Sequence, residues 1–433
     1  MSAAASSNGR RVAVLASCRT AFAKAGGFLA EESSLDLSRV VVRELVERSE
    51  LSSSAIEQVV LGTVVPNVQA PNVAREAALS AGLPASVDAY TVSRACASAN
   101  QAIVGACESI LSGQITTAIA GGTESLSNVP ILASKPLARA LVAASKAKRP
   151  STRLRPFGAL KLKDLMPVVP AIAERSTGLT MGESAERMAK ENGIERLAQD
   201  RFALESHRRA AAATNDGRLT SEIVRYFQRP KYEHSLAVDE GIRFDASLDA
   251  LAALRPVFDR RYGSLTAGNS SPLTDGAAAV LMMREDKARA NGFEPLGFVR
   301  SYSFVAVDPF DQLLIGPAYA IPIALERAGL SLSDMTIIDL HEAFAAQVLS
   351  VTRALASEAF CRERLGRPPL GEIDPERLNV MGGSIALGHP FGATGARITG
   401  SVLHELKRRG GGFGLIGVCA AGGLGFAMVV ETS

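Results

Sequence analysis

The 433-residue chain has no tryptophan and is only 5% aromatic, so it lacks the usual material of an aromatic-rich binding surface. Its five cysteines are too few and too irregularly spaced for a disulfide framework. An odd count suits a reducing compartment with buried or catalytic thiols. No run approaches the roughly 18 continuous apolar residues that a membrane-spanning helix requires. A net charge of +3 is too mild to imply a nucleic-acid partner. What the chain does have is small residues: 38 glycines, and alanine throughout, in a sequence that is 47% hydrophobic. That composition points to a large core of closely packed helices and strands, and the length allows two or three domain-sized units. The opening MSAAASSNGR is small, polar and acid-free, but VAVLA at 12–16 already reads as a strand. The first ten residues are therefore expected to be a frayed tail on a cytoplasmic protein.

Strand-like runs alternate with helical patterns. VAVLA is followed by a helix over Leu35–Glu47 and a strand at VVLGTVV (59–65). A helix over Ala97–Leu111 and a strand at ITTAIAGG (115–122) come next. The C-terminal third repeats the rhythm with TIIDL (336–340), a helix from Gly395 to Arg408, and FGLIGVCAAGG (413–423). This is an α/β chain with buried sheets. Cys96 and His389 each precede a helix, a glycine-containing turn and a strand, which suggests duplicated halves with a site where they meet. Prolines punctuate 129–261, and helical stretches follow at Glu183–Asn192 and Leu197–Asn215, so this segment reads as an inserted, mostly helical region. Its first part carries Lys135, Arg139, Lys146, Lys148, Arg149, Arg153, Arg155, Lys161 and Lys163 before its first acid, Asp164. Leu and Ala interleave with these charges. A surface for anionic lipid, a partner or CoA phosphates is one reading, and a solvated charged face is the other.

Three small-residue blocks carry chemistry-bearing side chains. Cys96 lies in SRACASAN, between a strand-like YTVS and a helix. The helix dipole is expected to lower its thiol pKa there. Cys419 lies in GVCAAGGLG, whose backbone can turn amides towards a developing oxyanion. His389 opens GHPFGATG, where Pro390 fixes the following chain and Gly388, Gly392 and Gly395 leave the imidazole uncrowded. No Gly-Lys-Ser/Thr follows, so this is not a phosphate-binding P-loop. HEAFAAQ at 341–347 places His341 after a strand, but Ala345 stands where a zinc-protease helix needs its second histidine, so no metal is expected. Glu342 reads as an anchor for the turn. Cys18, Cys107 and Cys361 read as buried structural cysteines.

Taken together, SRACASAN, TMGESAE (180–186), TAGNSSPLTDGAAAV (266–280), HEAFAAQ, GHPFGATG and GVCAAGGLG resemble the thiolase family, in its degradative 3-ketoacyl-CoA branch, from near Arg11 to the C-terminus. The resemblance implies a five-layered αβαβα fold of two duplicated halves with a loop domain. Residues 1–128, completed by about 262–286, would form the N-terminal half, 129–261 the loop domain and 287–433 the C-terminal half. Cys96 would be the acylated nucleophile, His389 its activator and a holder of the enolate oxygen, and Cys419 the acid/base at C2. The amides of Cys96 and Ala421 would form an oxyanion hole. His341 stands where many thiolases have Asn, which orients a water in the enolate oxyanion hole. His there is similar to the β-subunits of fatty-acid oxidation (trifunctional) complexes.

Met181, Ala267, Ser271, Ala343 and Phe344 match positions lining the pantetheine channel. Coenzyme A would be a co-substrate, with no cofactor. A homodimer or homotetramer is implied, with a hydratase/3-hydroxyacyl-CoA dehydrogenase α-subunit as partner; the basic stretch 135–163 itself is the candidate for a peripheral membrane contact. Two departures stand out: Ala421 replaces a common Gly, and Ala99-Asn100 replaces a small-Gly step, which is expected to narrow the acyl pocket. A biosynthetic acetoacetyl-CoA thiolase, a ketoacyl-synthase-like condensing enzyme and an inactive acyl-CoA-binding scaffold are the alternatives. Cys419 speaks against the synthase, and the intact set against the scaffold.

Overall fold

The computed structural model describes residues 11–168 and 173–433; the N-terminal tail expectation and Pro170 fall outside them. Nine long strands carry the architecture: β1 Val12–Thr20, β2 Gln58–Gly62, β3 Asp88–Val92, β4 Thr117–Glu124, β5 Thr274–Arg284, β6 Gly297–Ala306, β7 Met335–Leu340, β8 Gly412–Ala420 and β9 Leu424–Thr432. They run in the order β7-β8-β9-β6-β1-β5-β4-β2-β3. The two halves of this path meet at a short antiparallel ladder, Val12–Val14 of β1 against Gly297–Val299 of β6.

The halves repeat one plan. In the first, β2 pairs in parallel with β3 and β4, β4 is antiparallel to β5, and β5 to β1. In the second, β7 pairs in parallel with β8 and bridges to Leu378, β8 is antiparallel to β9, and β9 to β6. The duplication expected from Cys96 and His389 is thus present in the ladders. One boundary differs from the sequence reading: β4 continues past Gly121-Gly122 to Glu124, while Gly422-Gly423 fall in the turn beyond β8.

Helices fill three layers. Outside the first half, α1 (Ser34–Ser49) buries Leu37, Val41, Val42 and Leu45, one stripe at helical spacing, and starts on a Ser33/Asp36 capping box. It packs with α2 (Val73–Ser80). Outside the second half lie the later equivalents of α1 and α2, helices Gly316–Ala328 and Ala345–Ala356. Between the halves lie α3 (Ser98–Leu111) and the long helix Thr394–Arg408. That long helix is buried over almost its entire length and touches strands of both halves.

Small residues make this central layer possible. A Cβ on Gly395 would sit 2.1 Å from Asn100 Oδ1, and one on Gly400 would sit 2.6 Å from Ser17 Oγ. Asn100 therefore fills the gap between the two central helices, fully buried. The glycine turn expected after the second of them is real: Gly410, Gly411 and Gly412 have φ of 88°, 108° and 124°, values that L side chains rarely adopt. Between β4 and β5 the inserted region supplies helices Lys135–Lys146, Met181–Glu191 and Arg196–Asn215.

Candidate active site

Cys96 sits in the short loop between β3 and α3. Ser98 fastens that loop by accepting from the Arg94 amide (2.8 Å) and donating to the Ala95 carbonyl (2.6 Å). Ala95 is held at φ 46°, a left-handed conformation that costs a non-glycine residue about 1–3 kcal/mol. Strain is thus stored immediately before the sulfur. His389 occupies the equivalent place in the second half, and its amide donates to the Pro272 carbonyl at 3.1 Å. Its Nε2 lies 3.2 Å from Cys96 Sγ. His341 follows β7, its amide bonded to the Gly417 carbonyl, and its ring centroid is 4.2 Å from that of His389.

Ligating atoms of Cys96, His341 and His389 all lie within 4.8 Å of one another. A thiolate and two imidazoles suit zinc by type, and they suit proton transfer equally. Cys419 ends β8, buried, across the turn from Gly425.

Electrostatics corrects one sequence expectation. Burial pushes the Cys96 thiol up to about 12, although hydrogen bonds from the Ala421 and Cys96 amides pull the other way. Desolvation outweighs the dipole of a helix that begins only at Ser98, so no standing thiolate results. Burial also raises Cys419 well above the ordinary thiol range, with the nearby Cys96 adding to it. Burial holds His389 down at about 3 and His341 well below the usual imidazole value, and the Arg397 charge pushes both the same way. Both rings are therefore neutral at physiological pH. The resting site is a neutral thiol against a neutral base.

Most of the supporting residues come from places that local pattern did not single out. Glu124, at the end of β4, accepts from Thr63 Oγ1 and from the amides of Val64, Val65 and Gly392. It ties the loop after β2 to the loop carrying His389. Burial outweighs those donors and raises its carboxyl to about 7. A Cβ on neighbouring Gly122 would lie 1.9 Å from the Gly392 carbonyl, so the two loops meet there backbone to backbone. Glu342 accepts from Asn379 (2.6 Å), Ser206 (2.7 Å) and the Ile385 amide (3.1 Å), which is the anchoring expected of it. Ser206 lies in the inserted region, so that region is fastened to the site. Ser384, Thr394 and Arg397 carry no local motif; a charge inside the small, apolar TGARITG run is the available signal for Arg397.

The expected channel residues partly converge. Met181 and Phe258 pack in the same apolar cluster as Ala343 and Phe344. Ser271 donates to the Ala343 carbonyl from both its amide (3.0 Å) and its hydroxyl (3.1 Å). Ala267 is exposed on the same segment. Cys18, Cys107 and Cys361 are free and buried, as expected of structural cysteines.

Residues 12–286 match the family described as Thiolase, N-terminal domain, and residues 293–432 match Thiolase, C-terminal domain. The chain belongs to the thiolase family. Within it, the chain is 53% identical over 424 residues to a 3-ketoacyl-CoA thiolase of Escherichia coli (strain 55989 / EAEC), covering 98% of this chain and 97% of that one. Among solved structures, it is similar to the Bacillus anthracis acetyl-CoA acetyltransferase (34% identity, TM-score 0.84, 98% of each chain). It is similar to the same degree to human mitochondrial 3-ketoacyl-CoA thiolase in complex with CoA (32% identity, TM-score 0.84, 98% of each chain). Membership of the thiolase family makes the chain an acyltransferase, and the five-layered fold is the family's.

Proposed function

We propose that the chain cleaves 3-ketoacyl-CoA with coenzyme A, releasing acetyl-CoA and a shortened acyl-CoA through an acyl-Cys96 intermediate. The observation that carries this reading is the 3.2 Å contact between a neutral His389 Nε2 and Cys96 Sγ, a sulfur that also receives the Ala421 amide. Sγ attacks the C3 carbonyl while its proton passes to Nε2. The oxyanion is held by the amides of Cys96 and Ala421, each such donor being worth roughly 3–4 kcal/mol in the transition state. The C2–C3 bond then breaks, its electron pair forming the enolate of acetyl-CoA at His389 and His341. Cys419 protonates C2 and afterwards takes the proton of the incoming CoA thiol. The CoA sulfur attacks the acyl-Cys96, and the departing Cys96 recovers its proton from His389. The Cys96 proton returns to Cys96, the CoA thiol proton replaces the one that Cys419 gave to C2, and two half-reactions predict ping-pong kinetics.

Met181, Ala267, Ser271, Ala343 and Phe344 would line the pantetheine path. Support comes from the apolar cluster that Met181, Ala343 and Phe344 share, from the Ser271 bonds to the Ala343 carbonyl, and from the CoA held by the human relative. A biosynthetic acetoacetyl-CoA thiolase is the second reading, favoured by the likeness to the Bacillus acetyltransferase. Steady-state thiolysis across C4 to C16 3-ketoacyl-CoAs separates the two. We expect cleavage of chains well beyond C4, with acyl-Cys96 visible by intact mass; turnover confined to C4 would overturn the degradative assignment.

Assembly belongs to the same reading. β3 ends the strand order with its outer edge unpaired among the described residues, an edge that a second copy would cover. A dimer or tetramer, and a hydratase/dehydrogenase α-subunit, follow the resemblance to trifunctional β-subunits. No helix among the described residues is long and apolar enough to cross a membrane, and we place the protein in the cytoplasm, with a peripheral contact through 135–163. Leu154 (77% exposed), Leu162 (85%) and Met166 (66%) stand out beside nine basic residues. The only acid in that stretch, Asp164, is occupied by the Lys161 amide. Basic side chains near an anionic surface contribute about 1 kcal/mol each. Deleting 135–163 should abolish co-sedimentation with phosphatidylserine-containing vesicles at low salt while leaving thiolysis of a soluble substrate within about twofold. Undiminished sedimentation would count against the contact.

A further inference from the structure

The two imidazoles beside Cys96 are each held at Nδ1 by a hydroxyl, and the two hydroxyls are wired in opposite senses. Thr394 Oγ1 lies 2.7 Å from His389 Nδ1 and donates its own proton to the Pro390 carbonyl at 3.2 Å. A hydroxyl has one proton and two lone pairs. With that proton committed, Thr394 accepts from Nδ1–H, and His389 presents a bare Nε2 lone pair to the Cys96 thiol. Ser384 Oγ lies 2.9 Å from His341 Nδ1 and accepts from Arg397 Nη2 at 3.2 Å. Arginine offers donors only, so the serine proton turns to the other neighbour, His341 Nδ1. The His341 proton then sits on Nε2, an atom that is buried without a hydrogen-bond partner.

We infer that Ser384 and Arg397 are positioning residues that fix His341 as its Nε2–H tautomer, opposite to His389, so that a donor and a lone pair face the same reacting group. Asp339 keeps the arrangement in place. Its Oδ2 lies 3.6 Å from Arg397 Nη1, with both side chains almost fully buried. A buried guanidinium is retained only where it is paired. The guanidinium charge, acting after burial, also disfavours a second proton on either ring.

The consequence rests on the proposed enolate site. An Nε2–H on His341 donates to the enolate oxygen of the departing acetyl unit, directly or through a water. The other tautomer would aim a lone pair at a negative oxygen. His389 must start the other way round, since it takes the thiol proton first and becomes a donor only afterwards.

The wild-type enzyme, labelled with 15N-histidine, decides the assignment; the chain has five histidines. We expect His389 to give the Nδ1–H pattern and His341 the Nε2–H pattern, each identified by loss of its signals in the corresponding alanine variant. An Nδ1–H pattern at His341 overturns the inference. Ser384→Ala should leave His341 without a single tautomer. It should slow cleavage of a 3-ketoacyl-CoA by about 10–100-fold, part of the 10²–10³ seen when an oxyanion donor is removed. KM and acylation of Cys96 by a simple acyl-CoA should be unchanged, a split that a general loss of structure would not produce. Ser384→Thr, which keeps the hydroxyl, should restore both the pattern and the rate. An unchanged Nε2–H pattern with unchanged cleavage in Ser384→Ala also overturns it. Full thiolysis by His341→Ala would instead remove the enolate-site reading, while the wild-type spectrum still decides the tautomer.

Discussion

Replacing Cys96 by alanine is expected to lower thiolysis by a factor on the order of 10⁴ or more, the scale on which removal of a nucleophile acts in a residue set that works as a unit. The loss follows from the geometry. No other thiol lies within hydrogen-bonding distance of His389, whose Nε2 meets Cys96 at 3.2 Å, and the Ala421 amide is aimed at the same sulfur. Folding should survive, because Ser98 rather than Cys96 fastens the loop and alanine fills most of the cysteine volume. Steady-state thiolysis together with a thermal melt is the check. A residual rate of a few per cent, with native melting, would mean that another group carries the acyl chain. Serine at this position should also be poor, since a hydroxyl is a far weaker acid than a thiol and His389 is held as a weak base.

Alanine at Cys419 should divide the reaction rather than abolish it. Acyl transfer from an acyl-CoA to Cys96 needs only the nucleophile, its base and the oxyanion amides, and should persist. Cleavage of a 3-ketoacyl-CoA needs a proton at C2 and should fall by roughly 10²–10⁴, the usual range for a general acid. Intact-mass detection of acyl-Cys96 beside a thiolysis assay reads both halves in one sample. Unimpaired thiolysis in the variant would remove Cys419 from proton transfer. Burial keeps Cys419 a neutral thiol, the acid that this step requires. Two chemically identical side chains thus differ by position: one meets a base and an amide, while the other lies buried at the end of β8.

The protonation states give these expectations a common basis. A low standing thiolate population, with Cys96 pushed up to about 12, means that reactivity is created when the carbonyl arrives. The proton can then leave for His389 as the oxyanion forms against fixed amides. Preorganised donors are worth most in such a dry site, because no solvent has to reorganise. Glu124 and Glu342 serve that rigidity at a distance. One joins the loops around His389, and the other joins the site to Ser206 of the inserted region.

Much of the molecule was legible in the chain, and the reason is local. β1, α1, α3, β7 and β8 lie within a few residues of their expected places, because periodicity, capping and glycine turns act between near neighbours. The blocks around Cys96, His341, His389 and Cys419 were visible because reactive side chains set among very small residues are unusual in themselves. Three things were decided only by the tertiary structure. The approach of Cys96 to His389 spans 293 positions, and no local pattern encodes such a separation. The thiol of Cys96 rises where the helix dipole alone predicted a fall, because desolvation depends on everything packed around the sulfur. The orientation of each imidazole depends on Thr394, Ser384 and Arg397, which read as ordinary helix residues until the fold turns them towards the rings. Residue identity limits which groups can react; burial and long-range contact, which exist only in the folded chain, set their charge and the direction of their protons.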